Sequence, residues 1–495
     1  MDFDIKEEIF KTNFEKLIKK YKNKRVLLYG AGQYFDKILE NHSFKELNII
    51  GISDLRFEQG NEDYYKNYKT IKPSNIKNLD VDVIIVTLVN YPSVKQFLIN
   101  NTKALIEWVS PSLEDKKRVV NKNYSRVIEK IKTKKKLRIG FLVNEAEKWQ
   151  YGALYEKFSN NRSFEPLVLI TKRTTKRNDK ECFIKLYNFF KNQNIEPIKA
   201  FDEKTNTYID INKFNIDLLF YQQPWELDYC QNIFHTSRQA LTFYCPYAIS
   251  ESSFVFNQTK DFFSLLYCHF LVDKSAKKQY LDFDKTLKNL VVVSHPKLDN
   301  IINKKTIQKD KKTIIYAPHH SFSEKSLNWA TFLWSADTVL NLAKKYPCFS
   351  WILKPHPGCF EKLLKDTPYT KKDLDDFLLR WQKIGSIETK GSYFDLFLSS
   401  NLLITDCGSF IVEYLFTKNP CIHLLKNDLN NHSLLNQKII KTYYSAKNEQ
   451  ELEYWFDEIL VKNNDSLKTK RLNLIKELDI GLSSDNILNF IKKQL

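Results

Sequence analysis

Three short segments in the second half of the chain place groups suited to an anion at the end of an apolar run. The first, Tyr316-Ala317-Pro318-His319-His320-Ser321, continues the run KTII. Pro318 cannot donate to a sheet ladder, so the run stops there and the two histidines project from its end. An imidazole at that place can donate to a phosphate oxygen or move a proton near neutral pH. The plainer alternative is a pair of solvated loop histidines. The second segment, Lys354-Pro355-His356-Pro357-Gly358, follows directly from WIL. Prolines on both sides of His356 fix its backbone, as an oriented group requires, and Lys354 adds positive charge. The third, Thr405-Asp406-Cys407-Gly408-Ser409, lies between an apolar run and a helical pattern. Small residues at such a turn let backbone N–H groups approach an anion, and the helix dipole adds to the attraction. Ser409 offers a hydroxyl. Glu413 follows one helical turn later on the same face, where a carboxylate can accept from ribose hydroxyls. Asp406 and Ser409 also fit a plain helix cap.

A less complete pattern opens the chain. RVLLYGAG at 25–32 is an apolar run ending in Gly30-Ala31-Gly32, and NIIGISD ends on Asp54 after an intervening helical pattern. Strand, glycine turn, helix and a strand with a terminal acid is a nucleotide-binding opening. Phe35 stands where the third glycine of the fingerprint would be. Gly30, Gly32 and Asp54 are therefore candidate ligand residues of an incomplete motif, with a ligand-free scaffold as the alternative. The block resembles the small Rossmann domain that precedes some sugar-modifying enzymes, which makes a nucleotide or nucleotide-sugar its candidate ligand.

The elements that must position these groups alternate strand with helix. VDVIIVTLV at 81–89 gives the opening unit a third strand. Residues 116–136 are dense in like charge, from Lys116, Lys117 and Arg118 to Lys134, Lys135 and Lys136, and read as a helical basic linker. A second unit starts with LRIGFLV at 137–143 and continues through PLVLI, DLLFYQ, ALTFYCPYAI, CHFLVD and NLVVVSHPKLDN. A third starts with KTIIYAPHHS at 312–321 and continues through FSWILKPHPG, NLLITDCGSF and NPCIHLL, before amphipathic helices over 446–495. Alternation of this kind builds parallel sheets. The fold expected is α/β: a Rossmann-like accessory domain at 1–115, the linker at 116–136, an acceptor lobe at 137–305 and a donor-nucleotide lobe at 306–495. Two Rossmann-like lobes facing one cleft are the arrangement called GT-B.

Taken together, YAPHHS, LKPHPG and TDCGSFIVE make the stretch from about 137 to 460 resemble the CDP-glycerol glycerophosphotransferases, the transferases of teichoic-acid and capsule polymers. SHPKLDN at 294–300 resembles that family's G-x-P-K-x-D turn. The resemblance implies catalytic roles for His319, His320 and His356. It implies donor nucleotide and phosphate contacts for Lys354, Thr405, Asp406, Gly408, Ser409 and Glu413. Three departures stand out. Gly408 replaces the first of two loop serines, and Glu413 replaces the commoner Asp. Phe243-Tyr244-Cys245-Pro246-Tyr247 carries no histidine where the teichoic-acid enzymes have a WHG segment, which leaves the base open, with His319 or His320 able to substitute.

Composition narrows the class. A hydrophobic fraction of 43% and an aromatic fraction of 14% over 495 residues supply several packed cores and exclude a disordered chain. No stretch reaches the roughly 18–20 apolar residues of a membrane span, and the charged N-terminus does not read as a signal peptide. Eight scattered cysteines without a CxxC pair predict reduced thiols rather than a zinc or disulfide framework. A net charge of +18 fits an anionic partner or a solvated lysine surface, and no nucleic-acid motif is present. The expectation is a cytoplasmic transferase, peripheral on an anionic membrane surface. It would use CDP-glycerol or another CDP-polyol as donor, a glycan or lipid-linked polysaccharide as acceptor, no essential cofactor, no metal and no nucleic acid. A glycosyltransferase using a UDP- or CMP-sugar and a non-catalytic nucleotide-binding assembly protein are the alternatives.

Overall fold

The computed structural model describes residues 7–494 except 61, 89–91, 250–253, 303, 308, 325–326, 390–392, 427–431 and 479. The last residue of the strand expected over 81–89 lies outside them, as do the first six residues of the chain.

Three parallel-rich sheets form in order along the chain. The first contains β1 (Arg25–Tyr29), followed by helix α1 (Gln33–Asn41), then β2 (Asn48–Ser53) and β3 (Val83–Val86). Strand β1 pairs in parallel with β2 on one side and β3 on the other. Tyr68–Ile71 and Tyr64–Tyr65 extend the sheet beyond β2, and Leu105–Trp108 closes it beyond β3.

Helix α2 (Leu113–Lys132) covers the stretch read as a basic linker. Ser112 caps it by accepting from the Asp115 N–H. Beneath the charges, Val120, Tyr124, Val127 and Ile131 recur at helical spacing and are buried in the core of the second unit. The Tyr124 hydroxyl donates to the Leu265 carbonyl at 2.8 Å. The helix therefore packs as part of that unit.

The first lobe is built on β4 (Leu137–Val143), β5 (Phe164–Ile170), β6 (Leu218–Tyr221) and β7 (Leu241–Tyr244). Its seven-stranded sheet runs Leu290–Val292, Cys268–Leu271, β7, β6, β4, β5, Ile198–Lys199. The near-continuous burial of β4 is what a parallel strand covered on both faces requires. The second lobe has β8 (Thr313–Ala317), helix α3 (Phe332–Lys345), β9 (Ser350–Leu353), β10 (Leu402–Thr405), helix α4 (Gly408–Leu415) and helix α5 (Leu434–Ile440). Its order is Ser386–Ile387, β9, β8, β10, Cys421–Leu424, Tyr444–Ala446.

In each lobe the strand that opens the sheet sits inside it, with later strands wound outward on both sides. A crevice opens there at the carboxyl ends, between β4 and β6 in the first lobe and between β8 and β10 in the second.

The lobes are cross-tied by the end of the chain. Helix α6 (Ser483–Gln494) leaves the second lobe and packs Ile487, Leu488 and Ile491 into the core of the first. Asp299, in the SHPKLDN segment, accepts from the Ser483 N–H at 2.7 Å and the Ser484 N–H at 2.8 Å, holding the start of α6. His295 of the same segment donates Nε2–H to the Pro246 carbonyl at 2.6 Å. Among the described residues no helix is long and apolar enough to cross a membrane.

Candidate functional site

The β8–β10 crevice gathers the three motifs. His319 and His320 follow β8, Lys354 and His356 follow β9, and Asp406 to Ser409 join β10 to α4. The rings of His320 and His356 stack at 3.9 Å between centroids, and His319 lies 4.3 Å from His320 and 5.5 Å from His356. Backbone contacts fix the group: the His356 N–H donates to the Pro318 carbonyl at 3.0 Å, binding the second motif to the first.

The surroundings set the tautomers. The Gly358 N–H donates to Nδ1 of His356 at 3.1 Å. For His319, the Ser321 N–H donates to Nδ1 at 3.3 Å, and the Ser321 hydroxyl lies 2.8 Å from the same atom. That hydroxyl already accepts from the Trp329 N–H at 3.1 Å, so its own proton is directed at the ring. Each Nδ1 is an acceptor, and each ring carries its proton on Nε2. Nδ1 of His320 is buried without a partner. A proton there would be an orphaned donor, so this ring too carries it on Nε2. Burial keeps the rings neutral. It pushes His319 well below the ordinary imidazole range, with His320, His356 and His432 adding to the effect. His356 is pushed to about 3 by burial, helped by His320, Lys354 and Lys148. His320 is lowered by burial and by Lys362. The result is three neutral N–H donors beside Lys354, which is 7% exposed and has no ion pair among the described residues. Burial lowers the Lys354 ammonium against the pull of Glu388.

The third motif divides its roles. Asp406 is 1% exposed and faces inward. It accepts from the His319 N–H at 2.6 Å, the Thr331 N–H at 2.7 Å and the Thr331 hydroxyl at 2.9 Å, binding the turn after β10 to both ends of the loop between β8 and α3. Burial raises its carboxyl to about 6 against these donors. Thr405 donates to the Ala317 carbonyl at 2.6 Å and accepts from the Cys407 N–H. Ser409 stands half-buried in the first turn of α4, where no side chain caps the helix. A Cβ on Gly408 would lie 2.8 Å from both Trp329 and Asn436, so the packing of those two side chains accounts for the missing serine.

Glu413, 1% exposed, accepts from the Tyr393 hydroxyl at 2.9 Å, and its other oxygen is unpartnered. Burial pushes it up to about 7, opposed by Lys297 and Tyr393. Lys297, from SHPKLDN, is lowered by burial and held up by Glu413.

The β4–β6 crevice of the first lobe carries groups for which the sequence offered no motif. Glu145 and Lys148 follow β4, Arg173 follows β5, and Gln222, Gln223, Trp225 and Glu226 follow β6. Lys148 lies 2.9 Å from Glu145 and donates to Gln223 at 3.1 Å. It also stands over the Tyr247 and Trp225 rings at 4.8 and 5.6 Å. Arg173 grips both oxygens of Glu226 and donates to Glu145. The charge of Lys148 adds to the lowering of His356. What could have announced this set is polar residues after apolar runs, NEAEK after LRIGFLV and QQPWE after DLLFY; their meeting depends on strand order.

In the N-terminal domain Gly30 has φ +111° and a Cβ there would overlap Leu88. Asp54 accepts from the Ala31 N–H at 2.7 Å and the Arg56 N–H at 3.1 Å. Gly32 precedes α1 with open space at its Cβ position. Phe35 is fully buried against Phe44, Tyr65 and Tyr68. Among the described residues no group of three histidine, cysteine or carboxylate side chains could hold a metal ion.

Residues 284–433 match the family model described as CDP-Glycerol:Poly(glycerophosphate) glycerophosphotransferase, and residues 22–102 match the one described as C2185-like, N-terminal. The first match spans all three second-lobe motifs and SHPKLDN. No curated protein sequence matches the chain. Among solved structures, S. aureus MnaA with UDP is 14% identical over 72% of this chain and 96% of that one, with a TM-score of 0.50. A Listeria monocytogenes structure described as a UDP-N-acetylglucosamine 2-epimerase is 15% identical, with the same coverage and TM-score. The wall teichoic acid polymerase TagF is 11% identical over 76% of this chain and 95% of that one, with a TM-score of 0.46. The first two likenesses establish the fold, paired Rossmann-like sheets of the GT-B kind.

Proposed function

We propose that the protein transfers a polyol phosphate, glycerol phosphate in the first instance, from a CDP-linked donor to a hydroxyl of a glycan and releases CMP. The observation that carries this reading is the set of three neutral Nε2–H imidazoles beside Lys354 and the uncapped start of α4, inside the segment matched by the glycerophosphotransferase model. Two linked phosphates carry charge on several oxygens, and this crevice offers donors fixed before any ligand arrives. Neutral donors suit phosphate that must also depart, because they stabilise it without the hold of a full salt bridge.

In this reading the attacking hydroxyl forms a bond to the phosphorus bearing glycerol as that phosphorus loses its bond to CMP. The imidazoles, Lys354 and the α4 N–H groups take the charge building on the departing phosphate. Glu413 accepts from the ribose hydroxyls, with Lys297 holding it toward the carboxylate form. Growth of a capsule or teichoic-acid-like polymer at an anionic membrane surface fits the exposed lysines and arginines of α2, among them Lys122 and Lys130. Thr405 and Asp406 act by holding the loops.

The test is a donor screen read by phosphorus NMR against cell-surface polysaccharide acceptors. CMP with a new phosphodiester supports the reading. UDP with a transferred hexose, or CMP from a CMP-sugar without phosphate transfer, assigns a sugar transferase. Tight CMP binding without turnover assigns an assembly protein.

A further inference from the structure

Transfer to a hydroxyl needs a group that takes its proton, and the three histidines of the second-lobe motifs offer none. His319 and His356 use Nδ1 as an acceptor, and His320 has Nδ1 shut away, so all three present N–H at the outer nitrogen. The segment Phe243 to Tyr247 has no histidine.

The opposing crevice of the first lobe holds a carboxylate with unusual positional control. Gln222 accepts from the Asn144 N–H at 2.9 Å and the Glu145 N–H at 3.0 Å, and donates to the Glu145 carbonyl at 2.7 Å. One buried amide side chain thus fixes the peptide that presents Glu145. The carboxylate itself is held by Lys148 and Arg173 with 16% of the side chain exposed. It borders a small cavity with Asn144, Thr171, Lys172 and Lys176. Its place beside the innermost strand is where ligands bind in open parallel sheets. Burial raises the Glu145 carboxyl, but Lys148 and Arg173 outweigh it and keep the group ionised. The charge of Lys148, which is paired with this carboxylate, also acts on His356.

We infer that Glu145 is the general base: it accepts the proton of the attacking hydroxyl while His356 and its neighbours hold the phosphates. The inference rests on the donor reading above. As the oxygen–phosphorus bond forms, the hydroxyl proton passes to Glu145, the phosphorus–oxygen bond to CMP breaks, and CMP leaves with that electron pair. Glu145 later returns the proton to solvent. Lys148 and Arg173 hold the carboxylate in place through the cycle.

The experiment measures CMP release from CDP-glycerol by the full chain, with water as the only acceptor and with a panel of p-nitrophenyl hexosides. CMP affinity is measured in parallel by calorimetry. Glu145→Gln is expected to slow release by 100-fold or more, with the Kd for CMP within threefold of the parent. Glu226→Gln loosens the same Arg173 without removing the base and should cost under tenfold. Formate should restore Glu145→Ala at least tenfold, where chloride does not. Release by Glu145→Gln within tenfold of the parent overturns the assignment, and so does an equal loss in Glu226→Gln. Failure of formate to rescue does the same. If the parent chain releases no CMP from CDP-glycerol, the donor reading falls first and the base assignment with it.

Discussion

The second lobe and the N-terminal domain share one design: a parallel sheet whose opening strand sits inside it, with a glycine-bearing turn and a helix beside the crevice. They furnish that crevice differently. In the second lobe the loops around it are bound to each other by buried groups, Asp406 and Ser321, so that side chains with free N–H groups face outward. In the N-terminal domain the corresponding groups are turned on the domain itself. Asp54 holds two backbone N–H groups, and Leu88 occupies the space beside Gly30. Thr87 donates to the Gly30 carbonyl at 2.6 Å. A shared architecture therefore does not bring a shared site. What distinguishes the two crevices is what surrounds the inward-held carboxylate: imidazoles and Lys354 in the second lobe, Leu88 in the N-terminal domain.

The contrast is sharpest at His356. His356→Ala should lower turnover by two or more orders of magnitude and leave the melting temperature within a few degrees. Kinetics near the parent's in a folded variant would erase the difference between the two crevices. Glu413→Gln should have the next largest effect, about tenfold on CMP affinity, with a smaller loss for 2′,3′-dideoxy-CMP, whose missing hydroxyls no longer need the carboxylate. Equal losses in calorimetry would reject the ribose role.

Acid should also separate the regions. Burial lowers His319, His320, His356, His423 and His432, all in the second lobe. Their unfolded forms take up protons near pH 6.5 and their folded forms do not, so acidification below that value favours unfolding. Asp406 and Glu413 are raised and act with the opposite sign, weakening the fold as pH climbs from about 4 toward 7. Five groups outweigh two. Hydrogen exchange, corrected for its intrinsic pH dependence, should show the second lobe losing protection between pH 6.5 and 5 before the N-terminal domain does; a uniform loss would count against this. The smallest effect is expected from deleting the N-terminal domain. A chain beginning at Pro111 keeps α2 and should retain turnover within threefold. One beginning at Lys134 removes Val120, Tyr124, Val127 and Ile131 from the first-lobe core and should fail to fold, as circular dichroism would show.

The strand ends were legible because apolar runs broken by Pro318 and Pro355 leave few other places for the residues that follow. The three motifs could be located without a structure for that reason. Neighbourhood was less legible. That β8 lies between β9 and β10 follows from winding, and only winding brings Glu145, Arg173 and Glu226 together from three separate loops. Side-chain direction was least legible. Asp406 and Asp54 stand at the same kind of strand end as a ligand-binding acid, yet both are held by the protein's own N–H groups. In the stretch 116–136 charge density hides an apolar stripe, so the sequence reads as a linker where a docked helix lies.

The return of α6 to the first lobe has a consequence for how the protein is made. Asp299 and the surface that receives Ile487, Leu488 and Ile491 are synthesised before the helix that covers them. At ~5–20 residues per second, the roughly 180 residues between them take about 10 to 40 s to emerge. For that interval the first lobe presents an uncovered apolar seam, which closes only once α6 has emerged.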